Sequence, residues 1–320
     1  MYYDRTVSKK LLHALGTEGA FSFLVRYAKT QPLMDLQLRG YPNSDSYWAT
    51  LYCGLTGVLD VYEQNGQFWL KGNSNSSSWA TSWATSWAEK RQLGGWRLAE
   101  EQLDKYLNLE MQRGLNPRFT KEGRIQAMLC TPSVGLFGII DREVIIRFPK
   151  GGEGDRVATN KRLLQPLQAA CPPDPARPWF VPPEKFGGEL DLLAVDPSGR
   201  ILAIEVKSGS NTHGITWAPL QATFYANFLK KWSKEVRQKS QDILHKMLQQ
   251  RIDLGLTRGP NPQLKYPLEI VPVVAFGGPP KSKKAYPRLK EVQKALLDAK
   301  VGYKSLKVWQ VEDSVITEML

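Results

Sequence analysis

Residues 190–195 (Leu-Asp-Leu-Leu-Ala-Val) and 201–206 (Ile-Leu-Ala-Ile-Glu-Val) form two short apolar runs. Such runs are expected of strands covered on both faces. Between them, Asp196-Pro197-Ser198-Gly199 places Asp, Pro and Gly where a type I turn favours them. With Gly199 left-handed, the loop is a three-residue hairpin turn with a glycine bulge. Asp196 then pairs with Arg200, and counting back along both strands sets Asp191 opposite Glu205. Side chains alternate with a period of two, so Lys207 shares the face of Glu205. The pattern therefore predicts an apolar hairpin interrupted at one patch by two carboxylates and an ammonium group.

Upstream, apolar positions at Leu11, Leu12, Leu15, Phe21, Phe23 and Leu24 predict a mainly helical stretch over 6–29, interrupted by Gly16 and Gly19. Met34, Leu36 and Leu38 alternate with Asp35, Gln37 and Arg39, a strand pattern. Two apolar runs follow in 48–62, and Asn65-Gly66 is a two-residue hairpin signal. Residues 73–89 contain a Ser-Trp-Ala-Thr repeat with Trp79, Trp83 and Trp87 four apart. Aromatic rings at that spacing could stack unpaired bases. A surface loop or a Trp-packed helix is the favoured reading, because no Lys or Arg is interleaved before Lys90 and Arg91. Trp96–Met111 reads as a helix, and three short strands are expected around 125–129, 136–140 and 144–148, with Asp141-Arg142 as a tight connection. Residues 1–150 are thus expected to form an α+β domain with an antiparallel sheet and no recognisable chemistry.

Pro149 to Asp155 (PKGGEGD) marks a boundary to a second domain, 151–320. A helix over 156–170, an extended Pro-rich connector over 171–186 and the hairpin come next. A helix is expected from near Trp217, with Pro219 in its first turn and Gln221 and Tyr225 on one face. A buried-type strand at 268–276, blemished by Pro272, a helix at 289–299 and a final strand at 306–311 complete the pattern. The fold class expected is α/β, with a C-terminal mixed sheet flanked by helices.

Charge sharpens this picture. The chain carries 43 Lys+Arg against 31 Asp+Glu, a net charge of +12. Residues 1–150 hold 18 basic against 14 acidic residues, whereas 201–300 hold 17 against 7. An excess concentrated around the hairpin suits a polyanionic partner. The alternative is a basic solvated helix surface. Lys230, Lys231, Lys234, Arg237 and Lys239, then Lys281, Lys283, Lys284 and Arg288, are candidates for phosphate contacts.

Cys53, Cys130 and Cys171 are far apart and fit no zinc or iron–sulfur spacing, and a reducing cytoplasm is expected. The first ten residues lack the apolar core of a signal peptide, no apolar run approaches a membrane span, and no phosphate-binding P-loop is visible. His13, His213 and His245 show no ligand spacing, and His213 reads as loop.

Carboxylates in an apolar sheet are costly unless compensated. Mg²⁺, which prefers hard oxygens and keeps waters, would compensate them. A solvated ion-pair cluster is the plain alternative. Asp191 followed by Glu205-Val206-Lys207 resembles the Asp…(Asp/Glu)-x-Lys core of the PD-(D/E)XK nuclease superfamily, with its restriction-endonuclease-like fold. Gln221-Ala222-Thr223-Phe224-Tyr225 is similar to the Gln-x-x-x-Tyr motif of its RecB-type branch.

The resemblance covers roughly 150–310. It implies that Asp191, Glu205 and the Val206 carbonyl hold Mg²⁺ (with Mn²⁺ as a substitute), that Lys207 positions the attacking water, that Gln221 supports it, and that Tyr225 lines the site. Many members add an acid on the preceding helix. Here its interior offers only Gln165 and Gln168, leaving Glu153, Asp155 or Glu189 as alternatives.

The expected activity is Mg²⁺-dependent hydrolysis of phosphodiesters, in DNA first, in a restriction, anti-phage or repair setting. Dimers are common in this fold, so a homodimer is one implied assembly. A catalytically silent nucleic-acid-binding scaffold is the competing function, and a gating role for residues 1–150 is a third reading.

Overall fold

The structure is a computed structural model of the chain, described here for all residues except 32, 42–45, 65, 73–90, 93–120, 132–136, 150, 258–263, 279, 281 and 313–314. The Ser-Trp-Ala-Thr repeat, the helix expected at 96–111 and Lys281 lie outside the described residues. The chain divides into two compact units, one of residues 4–134 and 246–258, the other of 1–3, 135–245 and 259–320.

In the first unit, α1 (Lys9–Leu15) and α2 (Ser22–Thr30) are two helices where one interrupted stretch was expected. Gly19 stands so close to the Ala14 carbonyl, 2.2 Å from where a Cβ would be, that only glycine fits the break. Strands β1 (Met34–Gly40), β2 (Ser46–Cys53), β3 (Thr56–Gln64), β4 (Gln67–Gly72) and β5 (Arg91–Gln92) form an antiparallel sheet in that order. Gln64 pairs with Gln67 around Gly66 at φ 71°, the hairpin predicted from Asn65-Gly66. Leu11, Leu15, Leu24, Leu36, Leu51 and Val61 lie in its apolar core.

The polar half of β1 is buried as well. Arg251 from α6 (Gln238–Asp253) donates to the Leu36 carbonyl at 2.8 Å and to Gln37 Oε1 at 3.2 Å, and stands 3.6 Å from Asp35. Residues 121–130 are a helix, α3 (Lys121–Cys130), and not the strand expected at 125–129. Apart from Ile125 that run contains no β-branched residue, and Gln, Ala, Met and Leu favour helix.

The second unit is built on a six-stranded mixed sheet of order β11-β10-β9-β8-β7-β6. Its strands are β6 (Gly138–Val144), β7 (Leu190–Val195), β8 (Ile201–Ser208), β9 (Ile270–Gly277), β10 (Lys307–Glu312) and β11 (Val315–Glu318). β6, β7 and β8 form an antiparallel meander, β8, β9 and β10 run parallel, and β11 is antiparallel at the edge.

One continuous strand therefore replaces the two expected around a turn at Asp141-Arg142. Asp141 favours turns in isolation, but both residues are buried inside β6, with the Tyr3 hydroxyl donating to Asp141 at 2.7 Å. β6 belongs to this sheet, so the boundary expected at 149–155 falls within the unit, just before α4 (Glu153–Ala170).

Residues 313–314 link β10 to β11, an edge strand beyond the one expected to end the fold. Pro272 precedes the first β9–β10 pair, Val273 with Lys307, so its missing N–H interrupts no pairing there.

Helix α5 (Thr212–Val236) starts five residues before Trp217, because the Asn211 side chain caps it by accepting from Gly214 N at 2.8 Å. Pro219 is consequently interior, and His213 lies in the helix rather than in a loop. Together with α7 (Ala285–Asp298), α5 packs Ile215, Ala218, Ala222 and Leu289 onto Val274, Phe276 and Val308, covering one face of the sheet. No helix among the described residues is long and apolar enough to cross a membrane.

Candidate active site

The turn between β7 and β8 sets everything that follows. Asp196 Oδ1 accepts from Ser198 N at 2.9 Å and Arg200 N at 3.0 Å, while Arg200 Nη2 lies 2.7 Å from Asp196 Oδ2. Gly199 sits at φ 78°. Val195 pairs with Ile201 and Leu192 with Ile204, so the next level of the hairpin brings Asp191 beside Glu205, as expected. Glu205 and Lys207 also pair in register with Val274 and Phe276, placing them on the face that α5 covers.

At that level the side chains converge. Val206 N donates to Asp191 Oδ2 at 2.7 Å, and Lys207 Nζ pairs with Glu205 Oε1. Glu205 is only 2% exposed and the Lys207 side chain 13%. Loss of water raises the Asp191 pKa above the usual carboxylate range. Four influences oppose that rise: the Lys207 charge, the Val206 N–H, a hydrogen bond with Glu205 and the Arg142 charge. Asp191 is half-buried beside the buried Glu205, and the Lys207 ammonium offsets part of their charge.

Helix α5 supplies the other expected residues. The Tyr225 hydroxyl donates to the Gly187 carbonyl at 2.8 Å, and Gln221, one helical turn earlier, opposes the rise in its pKa. Burial suppresses the acidity of Tyr225, and the charges of Glu205, Asp191 and Glu189 add to the effect. Asp191, Glu205, Val206, Lys207, Gln221 and Tyr225 are therefore gathered at one place.

The three alternatives for an extra acid separate. Glu153 and Asp155 are exposed at the start of α4, and Glu153 is bound to Arg156, which holds its carboxyl below the usual range. Only Glu189 is felt at Tyr225.

β6 contributes what the sequence reading missed. Arg142 is fully buried and pairs with Leu192, and Glu143 stands between that pair and Val144–Leu190, across from Asp191. Glu143 takes φ 54°, a strained value for a non-glycine residue. The pattern hid both because a strand carrying Asp-Arg-Glu in its middle reads as a turn.

The donors fit a hard cation in chemistry: carboxylates at Asp191 and Glu205 and a main-chain carbonyl at Val206, which would leave coordination positions to water. Among the described residues no group of three or more His, Cys, Asp or Glu is placed to hold a metal ion, so such a site would rest on two carboxylates. The three cysteines are buried free thiols.

The candidate phosphate contacts divide. Lys231 is paired with Glu235, which also meets the Met1 amino group at 3.4 Å. Lys230 is exposed over the Tyr303 ring at 5.8 Å, and Lys234 is exposed. They lie nine and thirteen residues beyond Gln221, roughly 14 and 20 Å along the helix. Lys283 and Lys284 are exposed at the start of α7, where the helix dipole disfavours cations.

No protein family, curated protein or solved structure matches this chain.

Proposed function

We propose that the second unit is a Mg²⁺-dependent nuclease of the PD-(D/E)XK type, hydrolysing phosphodiester bonds, in DNA first. The observation that carries this reading is the meeting of Asp191, Glu205 and Lys207 at one buried level of the β7–β8 hairpin, under Gln221 and Tyr225. A restriction-endonuclease-like core agrees with the antiparallel β6-β7-β8 meander followed by the parallel crossover through α5 to β9.

Asp191, Glu205 and the Val206 carbonyl would hold the cation, which when bound supplies Lewis acidity toward the phosphoryl oxygen and acidifies a water. In hydrolysis the water oxygen bonds to phosphorus, one ester bond breaks, and the leaving oxygen takes a proton. Lys207 sits where it can orient that water and offset charge developing on the phosphate. Tyr225, held to the Gly187 carbonyl, braces the side of the site, with Gln221 one turn before it on α5. Lys230, Lys234, Lys283 and Lys284 would hold the phosphate backbone without reading sequence.

The test is Asp191→Asn, which keeps the bond from Val206 N and removes one ionisable carboxyl. Linear, circular and single-stranded DNA are incubated with the parent and the variant in Mg²⁺, Mn²⁺ or EDTA. Cutting by the parent that is lost in EDTA and in the variant is the expected result. Salt-dependent DNA binding with no metal-dependent cutting by the parent would replace the nuclease with the silent binding protein.

A further inference from the structure

Against Tyr225 lies a cleft of about 80 Å³, with apolar walls from Val144, Leu190, Phe224 and Phe228. One water needs about 10–15 Å³ on this scale, so the space corresponds to roughly five to eight waters, on the order of one nucleobase. The cleft shares Tyr225 with the candidate site, and that residue is held to Gly187, which also lines the cleft.

Its aromatic side is ordered: Phe224 meets Tyr225 edge-on at 5.3 Å and Phe228 at 6.1 Å. Besides the Tyr225 hydroxyl, which is engaged by Gly187, polar groups come from α4, as Asn160, partly buried, and Arg156, exposed and held by Glu153. Gly187 and Gly188 present bare backbone, and no atom lies within 4 Å of where a Cβ on Gly188 would stand.

We infer that this cleft receives the unpaired base of the nucleotide next to the phosphate being cut. The inference rests on the nuclease reading above and specifies its substrate as single-stranded or frayed nucleic acid. A duplex keeps its bases stacked on each other, whereas a slot with aromatic walls and two polar groups suits a single base turned out of the strand. Asn160 offers the base edge an amide donor and acceptor, and Arg156 offers the flanking phosphate a cation.

The test uses the full chain in Mg²⁺ with a short single strand, intact or with one abasic position moved stepwise along it, and products sized on a gel. The parent should lose about tenfold or more in cutting at a given phosphate when the adjacent nucleotide is abasic, and little when the abasic position is elsewhere. Gly188→Leu, which fills the cleft from an unobstructed position, should cut the intact strand with the same loss and stop distinguishing the abasic one. Phe228→Ala, which removes a wall, should do likewise. If the parent cuts intact and abasic strands equally, or both variants match the parent on both, the slot is overturned while the nuclease reading stands. If the parent cuts no strand and is indistinguishable from Asp191→Asn, the nuclease reading fails and the slot with it.

Discussion

Replacing Lys207 by Met tests the charge logic of the site without relying on turnover. Lys207 Nζ is paired with Glu205, whose carboxylate is 2% exposed, and its charge opposes the rise in the Asp191 pKa. Removing one partner of a buried pair typically costs about 3–5 kcal/mol. The Lys207 side chain retains 13% exposure, so the lower end, about 3 kcal/mol, is expected. For a unit of this size each kcal/mol moves the midpoint by about 2–4 °C, giving a fall of roughly 6–12 °C in EDTA at pH 8.

Acidity should reverse much of it. A carboxyl whose folded pKa is raised contributes stability in its neutral form, present below its unfolded pKa and lost as pH rises through the folded one. The deficit of Lys207→Met should therefore shrink at pH 5. Mg²⁺ should also reverse it, because a cation bound at about 100 times its Kd adds about 2.7 kcal/mol. Calorimetric scans of parent and variant at pH 5 and 8, in EDTA and in Mg²⁺, provide the readout. A variant melting within about 1 °C of the parent in EDTA at pH 8 would show that no buried charge depends on the ammonium. A low-melting variant indifferent to Mg²⁺ would show that no cation site exists there.

Two other substitutions probe separate parts of the chain. Arg251→Met leaves Asp35 buried without its guanidinium and strips donors from the Leu36 carbonyl and Gln37, so the first unit should lose about 3–5 kcal/mol, read as a lower urea midpoint at unchanged slope. In Asp191→Asn protein, Lys234→Ala should reduce the slope of log affinity for DNA against log salt by about 0.9, and Lys231→Ala by much less, because Glu235 already neutralises Lys231. Equal slopes for the two variants would remove Lys234 from the interface.

Local chemistry explains which features the sequence exposed. The β7–β8 register was legible because Asp196-Pro197-Ser198-Gly199 admits few turn geometries, and a fixed turn dictates every pair behind it, down to Asp191 and Glu205. Asn65-Gly66 worked in the same way. The break between α1 and α2 was signalled by two glycines. What stayed hidden was decided by tertiary contacts. The run at 125–129 is short enough to suit a strand or a buried helix; its composition leans to helix, and burial around several faces agrees with α3. Asp141 and Arg142 look solvent-seeking in isolation and enter a central position of β6 because Tyr3, far away in the chain, supplies a partner for Asp141. Asp35 and Gln37 mimic the outward half of an amphipathic strand until Arg251 covers them. In these last two cases a polar residue was buried by a partner more than a hundred positions distant.

The two ion pairs of the β7–β8 hairpin make the strongest internal comparison. Asp196 and Arg200 sit at the turn, where the aspartate also accepts two main-chain N–H groups, so that pair is accounted for by the local geometry it fixes. Glu205 and Lys207 lie at the other end, in register with Val274 and Phe276 and under Ile215 and Ala222, where apolar residues would pack at least as well. Replacing a buried ionic cluster with hydrophobic side chains of similar volume is commonly neutral or stabilising by about 1–4 kcal/mol. Folding alone therefore gives no reason for two carboxylates and an ammonium at this level, and Asp191, its pKa raised by lost water, adds to the cost. Groups that a fold holds against its own stability are characteristic of sites selected for binding or chemistry. The hairpin thus carries, within eighteen residues from Leu190 to Lys207, one charge pair that shapes the turn and one cluster that the turn geometry does not account for.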